Sequence, residues 1–160
     1  MDNILLLKKY AIRYLSKYSS SKGNLERVIK NKIRRLDLEK KEKFFLYNAI
    51  DKILIELESK NFINDNSYCE SKIINLSNQG KSRIYIINYL IQKKIEKKII
   101  DKVFNFFDAK NPEWEINSAK IFARKKNINT NESKNKQKDL SKMARAGFDY
   151  KIIKLTLNIN

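Results

Sequence analysis

Leu90-Ile91-Gln92-Lys93-Lys94-Ile95-Glu96-Lys97-Lys98-Ile99-Ile100-Asp101-Lys102-Val103-Phe104 and, 53 residues on, Met143-Ala144-Arg145-Ala146-Gly147-Phe148-Asp149-Tyr150-Lys151-Ile152-Ile153-Lys154-Leu155-Thr156-Leu157 follow one plan. In each a basic helix ends, an apolar residue plugs the turn (Ile95, Phe148) and an acid caps the next helix (Glu96, Asp149). An amphipathic helix follows, carrying Ile99-Ile100 or Ile152-Ile153 and then Phe104 or Leu157. Leu90 and Met143 hold the matching place before the turn. Gly147 sits where the helix from Lys138 must stop, because the residue past a helix end is most easily a glycine in the left-handed conformation. Lys94 holds that place in the other copy, where a side chain costs about 1 kcal/mol. That end is therefore expected to fray or close differently.

Outward from this pair, apolar residues recur at helical spacing almost everywhere. The stripes are Ala11, Tyr14, Leu15, Tyr18; Leu46, Ile50, Ile53, Leu54, Leu57; Ile84, Ile87, Leu90, Ile91; Ile99, Ile100, Val103, Phe104, Phe107; and Trp114, Ala119, Phe122, Ala123. Leu140, Met143 and Ala144 precede the last, Ile152 to Leu157. Breakpoints agree. Ser19-Ser20-Ser21 precedes Leu25 as cap and turn, and Asn61 to Ser67 ends one helix and caps the next. Gly80-Lys81-Ser82 opens the third stripe with Ser82 as cap, Asn111-Pro112 starts the Trp114 helix, and Asn127 to Asn135 is a polar loop. No segment alternates as a strand would, so the fold class is all-α. The first 60 residues fit the same three-helix plan with an insert around Leu36 to Lys43. The expected organisation is three tandem three-helix repeats, at 1–60, 61–110 and 111–160, in a solenoid-like array whose neighbours cover each other's apolar faces.

Composition excludes much. The 160 residues contain no His, one Cys and three Gly. Imidazole bases and metal ligands are absent, Cys69 cannot form an internal disulfide, and no Gly-rich loop can cradle a phosphate. Met1 to Tyr10 holds only the short apolar run Ile4 to Leu7, too short for a secretory signal, and no run approaches a membrane span. A cytoplasmic monomer with no cofactor and no membrane contact is expected. The sequons at Asn75 and Asn131 are then chance matches.

The net charge of +17 points to a polyanion or an acidic protein surface, and by itself does not separate them. It is unevenly placed: residues 22–43 carry +5, 81–102 carry +5 and 117–160 carry +8, whereas 44–80 and 103–116 each carry −2. Alternation at this spacing suits a repeated unit that presents one basic face each time. Enzyme readings are poor. Glu56 with Glu58, or Asp51 with its neighbours, lies on polar helix positions without metal-ligand spacing, and Cys69 reads as a small buried hydrophobe. Tyr85 and Tyr89 read as packing residues ahead of base-stacking ones. Phe104, Phe106 and Phe107 cannot all face one way, and Trp114 reads as the anchor of the third repeat on the second.

A family resemblance runs through these same residues. Leu57-Glu58-Ser59-Lys60-Asn61-Phe62-Ile63-Asn64-Asp65-Asn66-Ser67-Tyr68-Cys69 resembles the junction of the first two repeats of the RecX family. Gly80-Lys81-Ser82-Arg83-Ile84 through Leu90 to Lys94-Ile95 is similar to its second-repeat signature. Glu115, Ala119, Phe122-Ala123-Arg124-Lys125-Lys126 and Met143-Ala144-Arg145-Ala146-Gly147-Phe148 resemble its third. Ala11, Tyr14-Leu15-Ser16 and Ser21 to Leu25 fit its opening helices. The family usually has Gly where this chain has Asn61 and Lys94, and a basic residue at Ala146. The resemblance implies an elongated, curved array of three three-helix repeats. It also implies a bacterial regulator that lies along the groove of the RecA recombinase filament, limits filament growth and lowers ATPase and strand-exchange activity, without enzyme activity of its own.

On that reading the basic face comprises Lys81, Arg83, Lys93, Lys94, Lys97, Arg124, Lys125, Lys126, Lys142 and Arg145, while Gly80, Leu90, Ile95, Gly147 and Phe148 are structural. Arg83, Arg124 and Arg145 stand out because Arg is kept in a chain that otherwise uses Lys, and its fork can grip a carboxylate or phosphate. The main rival is a nucleic-acid-binding helical protein; the second is a scaffold for another acidic protein. Against the first, Arg83 apart, few Asn, Gln or Arg stand at the start of a basic helix. Weak, salt-dependent binding to single- or double-stranded DNA accompanies either the RecA or the nucleic-acid reading.

Overall fold

The computed structural model describes residues 2–128 and 136–158, and among these the regular structure is helical, without strands. The helices are α1 (Asp2–Leu15), α2 (Lys22–Arg34), α3 (Lys40–Asn48), α4 (Ile50–Ser59), α5 (Asp65–Ser77), α6 (Arg83–Gln92), α7 (Lys97–Lys110), α8 (Trp114–Lys125), α9 (Lys136–Arg145) and α10 (Tyr150–Leu157). They fall into two compact units, Met1–Tyr68 with Lys93–Ile95, and Cys69–Gln92 with Glu96–Asn160. The loop expected at Asn127 to Asn135 lies, beyond Ile128, outside the described residues.

In the first unit the core is Leu7, Ala11, Leu25, Ile29, Ile33, Leu46, Ile50, Ile53, Leu54, Leu57 and Ile63. α1, α2 and α4 contribute at spacings of three and four, so one stripe of each leaves water, and α3 adds Leu46. Leu36 and Leu38, in the expected insert, pack against this core. α3 and α4 are one helix interrupted at Ala49, whose N–H reaches the carbonyls of Phe45 and Leu46 at 3.2 Å. The opening stripe needs correction. α1 already begins at Asp2, so Leu7 joins Ala11 in the core, while Tyr18 lies past the helix end and is exposed.

In the second unit Ala119, Ala123, Met143, Phe148, Ile153 and Leu157 form one buried cluster. The matched positions of the quoted pair share their fate: Leu90 and Met143, Ile95 and Phe148, Ile100 and Ile153, Phe104 and Leu157 are all buried. Trp114 seats α8 on α7. Its ring lies 5.9 Å from Phe104 and 5.6 Å from Phe107, and its indole N–H donates to Asp108 at 2.7 Å. Phe106 points outward and Cys69 is buried.

Several expectations are corrected. α6 buries Ile86 and Leu90, while Ile84 and Ile91 are exposed. A helix reading Arg-Ile-Tyr-Ile-Ile-Asn-Tyr-Leu-Ile-Gln is apolar on most sides, so period alone does not choose its inner face. Asp149 caps α10 through the Ile152 N–H at 2.8 Å. Glu96 occupies the matching place before α7 without a side-chain cap, and pairs with Lys98 at 2.8 Å instead. The turn at Lys94 neither frays nor closes differently. Lys94 has φ +58°, left-handed like Gly147 at +90°, and Asn61 likewise has φ +58°.

Candidate functional site

Of the ten proposed basic-face residues, Lys93 and Lys94 belong to the first unit and the other eight to the second. What places them is a hydrogen-bonded joint that occurs once in each unit.

In the second unit Ser82 caps α6. Its hydroxyl accepts from the Tyr85 N–H at 3.3 Å and donates to the Ala146 carbonyl at 2.7 Å, at the end of α9. The Arg83 N–H donates to Glu115 of α8 at 2.9 Å, and Ser118 donates to the Lys81 carbonyl at 2.7 Å. The Arg83 and Tyr85 N–H groups are donors that a helix N-terminus otherwise leaves orphaned. A Cβ at Gly80 would meet the Phe122 N at 2.9 Å, so α8 presses directly on that turn. The last turn of α8, with Arg124, Lys125 and Lys126, and the turn after α9, following Lys142 and Arg145, therefore both meet the Gly80–Ile84 segment. Lys125 closes the seam by donating to the Gln79 carbonyl at 3.1 Å.

In the first unit Ser21 caps α2, accepting from the Asn24 N–H at 3.2 Å and donating to the Lys93 carbonyl. The Lys22 N–H donates to Asp65 at 2.8 Å. Lys93 and Ala146 are 53 residues apart, the offset of the quoted pair. The two joints are copies.

The charged side chains at the joints also correspond: Lys22, Glu58 and Asp65 in the first, Arg83, Asp108 and Glu115 in the second. Lys22 meets Glu58 at 2.6 Å on an exposed edge. Arg83 is held far more tightly. Its two terminal nitrogens donate to the two Asp108 oxygens at 3.1 and 2.7 Å, and its Nε lies 3.5 Å from Glu115. Its guanidinium also lies 5.0 Å from the Phe104 ring and 5.1 Å from that of Trp114. Burial alone would raise the Asp108 carboxyl, but hydrogen bonds from Arg83 and Trp114 outweigh it and hold it below the usual range. Burial alone would lower Arg83; its acidic partners outweigh that and raise it. The Arg83 fork thus grips carboxylates of its own chain.

The remaining basic-face residues are placed differently. Arg124, Lys125 and Lys126 are exposed, as are Lys94 and Lys97. Lys142 meets buried Asp139 at 2.9 Å, and Arg145 Nε donates to the Ser141 carbonyl at 3.2 Å. Lys81 lies over the Tyr85 ring at 4.5 Å, so Tyr85 is partly exposed beneath a cation and is not a core residue. Sequence reasoning missed the acids that complete the joints, Glu58, Asp65, Asp108 and Glu115. Their offset of 50 residues, Glu58 to Asp108 and Asp65 to Glu115, was the available signal. Among the described residues no group of three or more Cys, Asp or Glu side chains could hold a metal ion, and no helix is long and apolar enough to cross a membrane.

No protein-family model matches the chain. It is 28% identical over 164 residues to the regulatory protein RecX of Myxococcus xanthus (strain DK1622), covering 96% of this chain and 85% of that protein. Regulatory protein RecX of Streptococcus agalactiae serotype V is 28% identical over 137 residues, 85% of this chain and 50% of that one. Among solved structures, the fold matches a crystal structure of regulatory protein RecX with a TM-score of 0.74 at 22% identity, covering 98% of this chain and 74% of that one. It also matches RecX from Lactobacillus salivarius with a TM-score of 0.70 at 23% identity, covering 98% and 96%.

Proposed function

We propose that this chain, which belongs to the RecX family, is a regulator that binds the RecA nucleoprotein filament, limits its growth and lowers its ATPase and strand-exchange activity, modulating recombination and DNA repair. The supporting observation is similarity along 96% of the chain to a protein named regulatory protein RecX. The charge fits that role. Arg124, Lys125 and Lys126 project from the end of one helix, and Lys81, Lys142 and Arg145 lie on segments that meet at the same joint. A filament repeats its acidic surface at each subunit, so several weak contacts add through effective concentration, and charge steers the encounter. Arg83 serves this face indirectly, by fixing the α6 start.

The test is titration into RecA, single-stranded DNA and ATP, following hydrolysis and filament length. Inhibition at or below equimolar protein is expected. No inhibition despite tight, salt-sensitive DNA binding would replace this reading with a nucleic-acid-binding one. Replacing Arg124, Lys125, Lys126 and Arg145 together should weaken inhibition about tenfold with helicity unchanged; unaltered inhibition would refute the face.

A further inference from the structure

The first unit carries a second surface, outside the ten basic-face residues. A groove of about 500 Å³ is lined by Leu5, Leu6, Lys9, Tyr10 and Arg13 of α1 and Lys32 of α2. Leu5 is 51% and Leu6 43% exposed, unusual for two leucines on adjacent positions of a helix whose opposite side supplies core residues Leu7 and Ala11. Spacing explains the groove: positions 5, 6, 9, 10 and 13 form one helical face.

What marks the groove is that its cations flank two exposed leucines. Some lysines of this unit meet carboxylates: Lys8 and Lys60 meet Glu56, Lys22 meets Glu58, and Lys30 meets Glu26, whereas Lys40, Lys41 and Lys52 meet none among the described residues. Lys9, Arg13 and Lys32 meet none among the described residues. Lys32 lies 5.5 Å from the Tyr10 ring centre. The groove therefore pairs an apolar floor with three unneutralised cations.

We propose that this groove docks an acidic amphipathic helix of a partner protein. Aliphatic anchors would sit on Leu5, Leu6 and the Tyr10 edge, and carboxylates would meet Lys9, Arg13 and Lys32. Charge complementarity selects an anionic occupant. The floor then selects protein over nucleic acid, since leucines give bases nothing to stack on and the half-buried Tyr10 ring lies under Lys32. In the RecA reading the helix belongs to a filament-associated protein, but the docking chemistry stands apart from that identity.

The test uses the full ¹⁵N-labelled chain and two probes, a synthetic helix of about 16 residues with Leu at i, i+3, i+4 and i+7 flanked by Glu, and oligo-dT. The peptide should shift the amides of residues 5–13 and 32, and the triple variant Lys9→Glu/Arg13→Glu/Lys32→Glu should bind it at least tenfold more weakly at unchanged melting temperature. Leu5→Ser/Leu6→Ser should weaken peptide binding while sparing oligo-dT binding. Shifts at these residues from oligo-dT but not from the peptide, or from neither, overturn the proposal. Because RecA is absent, a negative result here leaves the ATPase test of the filament reading untouched, and the reverse holds equally.

Discussion

At the Ser21 joint the left-handed residue is Lys94 and the residue facing it is Gly23; at the Ser82 joint the left-handed residue is Gly147 and the residue facing it is Ile84. A Cβ at Gly23 would collide with the Lys94 Cβ, and one at Gly147 would stand 2.6 Å from Ser82 Oγ and 3.5 Å from the Ile84 Cβ. At the Ser21 joint the approach is so close that one of the facing pair must be glycine. At the Ser82 joint the Ile84 contact is ordinary, and glycine is needed at 147 for its left-handed φ and the nearby Ser82 Oγ. Only at the Ser21 joint does the requirement belong to the facing pair, Gly23 and Lys94. The two solutions are unequal in energy. Placing the glycine in α2 leaves Lys94 with about 1 kcal/mol of left-handed strain and puts glycine in a helix, which costs about 0.5–1 kcal/mol more. The Ser21 joint also holds its charged residue by one exposed ion pair, whereas Arg83 at the Ser82 joint is forked onto Asp108 and set against two rings. The Ser21 joint is the softer one.

The largest effect should come from breaking the exchange. Gly23→Ile alone should destabilise the chain by about 3 kcal/mol by overpacking, read from urea denaturation. Adding Lys94→Gly rebuilds the other joint's arrangement and should recover most of that loss. A double variant as unstable as the single one would show that the two positions do not couple.

Next comes a pair of substitutions of opposite sign. Gly147→Lys should destabilise by about 2 kcal/mol, through left-handed strain and loss of the bond from Ser82 to Ala146. Lys94→Gly should stabilise by about 0.5 kcal/mol. Equal signs in thermal melts would end the comparison.

Smaller still is the charge difference. Arg83→Lys forfeits the fork and the ring contacts, and should destabilise by about 1 kcal/mol at this partly exposed site. Lys22→Arg should stay within about 0.5 kcal/mol of the parent.

The smallest effect lies in pH. The Asp108 carboxyl is held below its ordinary value in the folded chain, so its contribution is present above the unfolded value near pH 4 and is lost as pH falls through the folded value. Asp108→Asn should be less stable at neutral pH and show a shallower loss below about pH 4 than the parent chain. An unchanged acid limb would remove Asp108 from the clamp.

Much of this was readable beforehand, for a physical reason. Helix caps and stripes are local, so Ser21, Ser82, Asp149 and the stripe from Leu46 to Leu57 announce themselves through neighbours three or four residues away. The repeat at 53 residues is also visible, because matched buried positions call for matched apolar types. α6 was misread because it is apolar on most sides, and its inward face is chosen by the docking of Ser82 on Ala146. Arg83 looked like a contact residue because its carboxylate partners lie 25 and 32 residues away, beyond any local pattern. The groove beside Lys9 and Arg13 is not legible in sequence because packing decides which cations the acids of α2 and α4 reach: Glu56 meets Lys8 and Glu26 meets Lys30, leaving Lys9, Arg13 and Lys32 aside.

The sequence by itself determined the helices, the places they stop, the repeat and the excess of positive charge, since each follows from short-range sterics, hydrogen bonding or composition. Only the tertiary structure decided that Lys94 stays left-handed, that Gly23 makes room for it, and which cations are spent on this chain's own carboxylates. Those outcomes depend on groups brought within a few ångströms from distant parts of the chain, where one side chain's space is another's exclusion.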